Sequence, residues 1–290
     1  MRTFPPLSGA LFGLLLASCA LSNSTPDPQT LPVDIGPGPN LKMEESSTGS
    51  FVILPPGHKS GEHYPTLFLL PYAGNSAADL FNQHYREGYA ALMKRHKLII
   101  VLPESASSAP AASGEDERPD PVERTEQKIQ WDIERWGMHY GVDRSKIILA
   151  GFDGGADLAW TLTQRQPARY AGAIVMGCRC GYRGEKVLDQ LAAAGLRYFI
   201  ARGEGDDRAH LSAAMTASIW LDGSKVSHKL VNFPGAHVPA PADVFMNAVD
   251  FVLGGDASEG QPELRPPPPA PSPRSGAGSP APSAPAPRAR

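Results

Sequence analysis

The sequence predicts an α/β fold built on a doubly wound, mostly parallel sheet, and two observations lead there. Short, continuously apolar runs alternate with longer stretches of helical period through the middle of the chain. The polar residues suited to chemistry fall directly after those runs, where open parallel sheets place their reactive loops.

Taken in order, the strand candidates are "SFVILPP" (50–56), "PTLFLLPY" (65–72), "KLIIVLP" (97–103), "SKIILAGF" (145–152), "GAIVMG" (172–177), "LRYFIAR" (196–202) and "SHKLVNF" (227–233). Most lack polar alternation, as strands covered on both faces do. Helices are expected at Ala77 to Lys94, Val122 to Met138, Ala156 to Arg165, Lys186 to Ala194, Ala209 to Leu221 and Ala242 to Leu253. The second of these puts Val122, Ile129, Ile133 and Trp136 on one face. Only one helix is expected between Gly177 and Leu196, too little for a large cap domain.

The chain has 290 residues, of which 41% are hydrophobic and 20% charged, enough for one full-sized core. Its formal net charge of −3 gives no reason to expect a nucleic-acid partner. Residues 1–18 read as a secretory signal: Arg2, then an apolar run to Leu16 that is far shorter than the ~20 residues of a membrane span. The ending Leu16-Ala17-Ser18-Cys19 resembles a bacterial lipobox, which implies cleavage before Cys19 and acylation of its thiol. Each buried acyl CH₂ adds ~0.8 kcal/mol, so the expected partner is a membrane surface reached through a lipid anchor. Ala20 lacks the aspartate that retains some lipoproteins at the inner membrane, so this resemblance implies the outer membrane or cell surface.

Residues 19–48 are polar and read as a flexible tether; 49–254 form the folded domain; 255–290, dense in Pro and Ala, read as a disordered tail. The acidic stretch "SGEDERPDP" (113–121) reads as a solvated insertion near the mouth of the site.

In chain order the candidate catalytic residues are Asp153, then Asp206 with Asp207 as its neighbouring alternative, then His237. Asp153 sits in "GFDGG", where Gly151, Gly154 and Gly155 suit a strained strand-to-helix turn with close backbone packing. An elbow, an acid after a later strand and a histidine after the last strand follow the order of the α/β-hydrolase fold. The segment "GVDRSKIILAGFDGGADLAW", with the later "ARGEGDDR" and "FPGAHVPAP", resembles esterases grouped with polyhydroxybutyrate depolymerases and feruloyl esterases. The resemblance covers Phe51 to Leu253 and implies an ester ligand, small or polymeric. It places Asp153 at the nucleophile position, Asp206 at the acid and His237 at the base.

Two departures from that family bear on the chemistry. An aspartate attacking an ester must form an anhydride. The intermediate then expels a carboxylate of pKa ~3.9 in preference to a far more basic alkoxide, a difference on the order of 16 kcal/mol. The carboxylate at the elbow is also expected to reach the oxyanion donors itself. In addition, the loop after "LFLLPY" carries Pro71, which has no N–H, so the oxyanion-hole candidates are Tyr72, Ala73 and Gly154.

Three readings follow: a ligand-binding pseudoenzyme; an ester hydrolase in which His237 and Asp153 activate water; and an Asp-nucleophile hydrolase of the dehalogenase or epoxide hydrolase type. Cys178 and Cys180 are candidates for a local disulfide and a poor metal set. No metal or other cofactor is expected. Asp157, the Trp160 face and Asp143-Arg144 read as packing and helix-entry features.

Overall fold

Uninterrupted apolar strands need cover on both faces, and the chain supplies it. The computed structural model describes residues 43–45, 49–72, 75–103, 120–181 and 184–254. Its strands are β1 (Met43–Glu45), β2 (Phe51–Ile53), β3 (Tyr64–Leu70), β4 (Ile99–Leu102), β5 (Val142–Phe152), β6 (Gly172–Met176), β7 (Arg197–Gly203) and β8 (Ser227–Phe233). They make one sheet in the order β1-β2-β4-β3-β5-β6-β7-β8. The strands from β3 to β8 run parallel; β2 is antiparallel to β4, and β1 to β2.

The helices are α1 (Ala77–Leu80), α2 (Arg86–His96), α3 (Pro121–Tyr140), α4 (Gly154–Arg165), α5 (Glu185–Ala193), α6 (Arg208–Gly223) and α7 (Ala242–Val252). Successive side chains of β5 point to opposite faces. Ile147 and Leu149 pack in one core with Ile129, Ile133 and Trp136 of α3, and Ile148, Ala150 and Phe152 in the other with Tyr89 of α2 and Phe245 of α7. Local chemistry fixes several helix starts. Ser76 and Asp79 form a capping box before α1, and Asp120 accepts the Val122 N–H with Pro121 in the first turn of α3.

The helix expected over Ala77 to Lys94 is present but divided, with a π-helical turn at Phe81–Tyr85 between α1 and α2. β5 starts three residues earlier than expected, and α4 two residues earlier, at Gly154. β3 stops at Leu70, since Pro71 has no N–H for the ladder. The unexpected element is β1, which lies inside the stretch expected to be tether. Its "MEE" has no apolar pattern, and it is a strand only by pairing with β2 in the register Met43↔Ile53 to Glu45↔Phe51. The rest of the tether's expected span before Gly49, the signal segment with Cys19, most of the acidic insertion and the tail lie outside the described residues. Between β6 and β7 the described residues hold α5 and its loops, with no large cap.

Candidate active site

Three loops at the carboxyl ends of β5, β7 and β8 bring together Asp153, Asp206 and His237. Asp153 is the residue between β5 and α4, with φ 48° and ψ −120°, a conformation that costs a non-glycine residue about 1–3 kcal/mol. Close packing holds it there. A Cβ on Gly151 would lie 2.3 Å from the Gly155 carbonyl carbon, and one on Gly155 would lie 2.7 Å from the carbonyl oxygens of Leu70 and Pro71. The Asp153 N–H donates to the Met176 carbonyl at 2.9 Å, and the Asp153 carbonyl accepts from Asp157 N–H at 3.0 Å.

The Asp153 side chain makes no capping bond to α4. The expectation that it would occupy the donors at the helix start is therefore corrected: its Oδ1 lies 3.7 Å from His237 Nε2 instead. Gly154, the first residue of α4, has an N–H that no turn of the helix can use. Of the other oxyanion candidates, Ala73 lies outside the described residues. Tyr72 packs edge-on against Phe152 at 5.3 Å between ring centroids, and its carbonyl accepts from Asn75 N–H at 3.0 Å. Burial, with the Asp79 carboxylate, raises the pKa of the Tyr72 hydroxyl.

Asp206 is the acid that holds the histidine. Its two oxygens lie 3.0 and 3.1 Å from His237 Nδ1, and its side chain is only 1% exposed. Asp207, the alternative, does another job: it caps α6, accepting from the N–H groups of Ala209 and His210, and faces His210 Nδ1 at 2.6 Å. These hydrogen bonds lower its pKa, the His210 backbone contribution being the largest. The loops carrying acid and base are zipped together by Glu204 N–H to Phe233 C=O at 2.9 Å and Gly205 N–H to Gly235 C=O at 2.7 Å. A Cβ on Gly203 would sit 2.0 Å from the Ala236 oxygen, so this approach needs glycine.

Two groups at the site went unrecognised in the sequence. Gly177, at φ 58°, forms the floor under His237, where a Cβ would lie 2.8 Å from Cε1. His210 packs against the His237 ring, at 4.4 Å between centroids and tilted by 35°. Its signal was the spacing "DDRAH": a histidine three residues after a helix-capping aspartate falls on the same face.

Cys178 and Cys180 correct another expectation. Both are buried free thiols, with Cys178 Sγ accepting the Cys180 N–H at 2.9 Å, so no local disulfide joins them. Burial, reinforced by the neighbouring Cys180, raises the Cys178 pKa well above the usual thiol value. Asp157 and Trp160 serve this loop, as packing residues should: Asp157 accepts Arg179 N–H at 2.8 Å, and Trp160 Nε1 donates to Gly181 C=O at 2.9 Å.

A central elbow after β5, an acid after β7 and a histidine after β8, on a sheet of this strand order, decide the architecture. The chain has the α/β-hydrolase fold. Similar solved structures agree. The feruloyl esterase module from Clostridium thermocellum complexed with sinapinate, in a mutant form, is 14% identical with a TM-score of 0.56, over 81% of this chain and 95% of that one. A ferulic acid esterase from Anaeromyces mucronatus in complex with ferulic acid is 19% identical with a TM-score of 0.55, over 73% and 89%. A fluorophosphonate-binding serine hydrolase from Staphylococcus aureus, substrate bound, is 14% identical with a TM-score of 0.53, over 74% and 95%. No protein-family model and no curated protein sequence matches the chain. At these identities the likeness is one of fold, and function has to be argued from the site.

Proposed function

We propose that this chain is a carboxylic-ester hydrolase in which His237 and Asp153 activate water directly, with no acyl-enzyme. One observation supports this most. His237 places Nδ1 3.0 Å from buried Asp206 and Nε2 3.7 Å from Asp153 Oδ1, so a neutral ring that donates its Nδ1–H to Asp206 presents its Nε2 lone pair on the Asp153 side. Two acceptors 3.7 Å apart can share one water lying to the side of the line between them, with both of its hydrogen bonds bent. Nε2 takes one proton as the water oxygen attacks the ester carbonyl. Asp153 keeps the other hydrogen bonded and holds the attack direction. The ester C–O bond then breaks, and the imidazolium returns its proton to the leaving alcohol. Oxyanion charge falls to the Gly154 N–H at the positive end of α4.

This route needs no anhydride, which is why it fits an aspartate at the elbow better than direct attack does. The Asp-nucleophile reading lacks support in the residues around it: Gly154 follows Asp153, and no large cap is present among the described residues. The names of the similar structures refer to ferulic acid esters and carboxylesters. By that likeness the proposed substrate class is a carboxylic ester; a polyester as its polymeric form rests on the sequence resemblance to polyhydroxybutyrate depolymerases alone.

A second reading, a ligand-binding pseudoenzyme, is favoured by Pro71, which withholds an N–H where a second oxyanion donor would stand. Turnover of short-chain aryl esters separates the two. The hydrolase reading expects measurable turnover in the parent, lowered ~10²–10⁴-fold in His237→Ala and in Asp206→Asn. An inactive parent that still binds an ester analogue overturns it in favour of binding alone.

We also propose, on Leu16-Ala17-Ser18-Cys19, that the protein works in a bacterial envelope with Cys19 acylated. Incorporation of a labelled fatty acid, lost in Cys19→Ala, tests that proposal.

A further inference from the structure

We infer that Asp153, His210 and His237 form a binding site for one divalent transition-metal ion of the zinc class. The three residues each offer a ligand atom, and those atoms lie within 4.8 Å of one another.

The argument begins with where the imidazole protons go. Asp206 takes the Nδ1 proton of His237, and Asp207 takes that of His210, the latter at 2.6 Å. In the neutral imidazole, each ring then carries its lone pair on Nε2, free to ligate. His237 Nε2 faces the Asp153 carboxylate, itself an acceptor, at 3.7 Å. His210 Nε2 is buried and has no hydrogen-bond partner among the described residues. A buried acceptor left unpaired, as at His210 Nε2, is costly unless something electron-poor sits beside it, and the part-exposed His237 and Asp153 offer further ligand atoms in the same cluster.

Charge points the same way. Asp153, Asp206 and Asp207 form their ion pairs, among the described residues, with the two imidazoles and with no lysine or arginine. Three carboxylates whose ion-pair partners here are two imidazoles and no lysine or arginine make surroundings in which a dication is well placed. The arrangement also has the outer layer that metal-binding histidines need, since each ring is oriented by a carboxylate on its other nitrogen. Asp206 and Asp207 belong to that layer: their oxygens are already engaged by imidazoles and backbone N–H groups.

Two histidines and one carboxylate leave a fourth position open to water. Ligand atoms at ~2.0–2.1 Å around a tetrahedral ion stand roughly 3.4 Å apart, a contraction of a few tenths of an ångström from the 3.7 Å His237–Asp153 separation and of up to about 1.4 Å from the 4.8 Å that bounds the cluster. The two histidines lie on loops and a helix start, not on strands, so this shift falls on the more adaptable part of the site.

The inference rests on the water-activating reading and deepens it. Bound water on such an ion has a pKa of ~7 and yields its proton to bulk solvent; the resulting hydroxide attacks the ester carbonyl, and the departing alkoxide takes a proton from water. His237 then holds the ion rather than taking the proton.

The full chain, stripped with a chelator, is titrated with Co²⁺ and Zn²⁺ by calorimetry, with visible absorption as a second readout for Co²⁺. One equivalent is expected to bind, with the strong visible bands of low-symmetry Co²⁺. His210→Ala and Asp153→Asn are each expected to weaken it by more than ~100-fold, beyond the usual effect of losing an outer partner. His96→Ala, which removes the imidazole paired with Asp250, leaves uptake unchanged. The near-isosteric Asp153→Asn keeps the test valid if His210→Ala unfolds. Absence of one-equivalent uptake, or uptake unchanged in both site variants, overturns the site, and ester turnover under those conditions leaves the hydrolase reading standing. Specific uptake without ester turnover supports the site and overturns the hydrolase reading instead.

Discussion

Asp153 Oδ1 and His237 Nε2 face each other across 3.7 Å, on an elbow whose backbone geometry would serve a serine equally well. The parts around the aspartate are those a serine nucleophile requires: φ 48° at the apex, a following helix start, and a histidine oriented by buried Asp206. Asp153→Ser should therefore create a nucleophile that a fluorophosphonate labels covalently, detected as a single-site mass shift, while the parent stays unlabelled. Adding His237→Ala should slow that labelling by ~10²–10⁴-fold, the contribution of a positioned base. An unlabelled Asp153→Ser protein with native circular dichroism would place the defect in the oxyanion loop at Pro71 and Tyr72 rather than at the elbow.

The two glycines after the elbow should respond in opposite ways. A Cβ on Gly154 would have open space around it, with nothing within 4 Å, and the residue stands at a helix start, so Gly154→Ala should leave the melting midpoint unchanged or slightly raised. At Gly155 the same methyl meets the backbone oxygens of Leu70 and Pro71 at 2.7 Å, which only movement of α4 or β3 can relieve. Gly155→Ala should cost about 1–3 kcal/mol in chemical denaturation, as overpacking does. Equal effects at the two positions would show that α4 is not pressed on β3.

The sheet was legible because physics writes it locally: runs such as "KIILAGF" are apolar on both faces only where helices cover both sides. Asp153, Asp206 and His237 were legible because chain order and strand ends limit which polar residues can meet. Two kinds of feature were not. β1 owes its conformation to pairing with β2, and "MEE" carries no trace of that. His210 reaches the site through the direction in which α6 leaves β7, a tertiary fact, and a histidine in a first helical turn has many uninformative reasons to be there. The Cys178-Arg179-Cys180 loop was misjudged for the converse reason: spacing allowed a bond, but burial and the Cys180 N–H supplied another use for the sulfur.

That loop makes a chemical prediction. Burial and the adjacent Cys180 thiol hold Cys178 in its protonated, unreactive form at neutral pH. In the folded protein iodoacetamide should modify Cys178 far more slowly than a denatured control. Alkylation after unfolding without reductant should add two labels to the peptide carrying Cys178 and Cys180. Recovery of that peptide unlabelled until reductant is added would restore the local disulfide.

Asp207 supplies the pH dependence. Its carboxylate accepts the Ala209 and His210 N–H groups and faces the His210 ring, and these bonds, the His210 backbone bond first, hold its pKa below the ordinary carboxylate value. A group depressed in the folded state contributes stability in full above its unfolded pKa of ~3.9, and that contribution is lost as pH falls through the lower folded value. The Asp207→Ala protein should therefore melt below the parent by a constant margin from neutral pH down to about pH 4, and the margin should shrink on further acidification. Thermal melts of the two proteins from pH 7 to pH 3 measure it. A margin that widens with acid, or no margin at pH 7, would mean that the start of α6, and with it the placement of His210 against His237, is held by something other than this carboxylate.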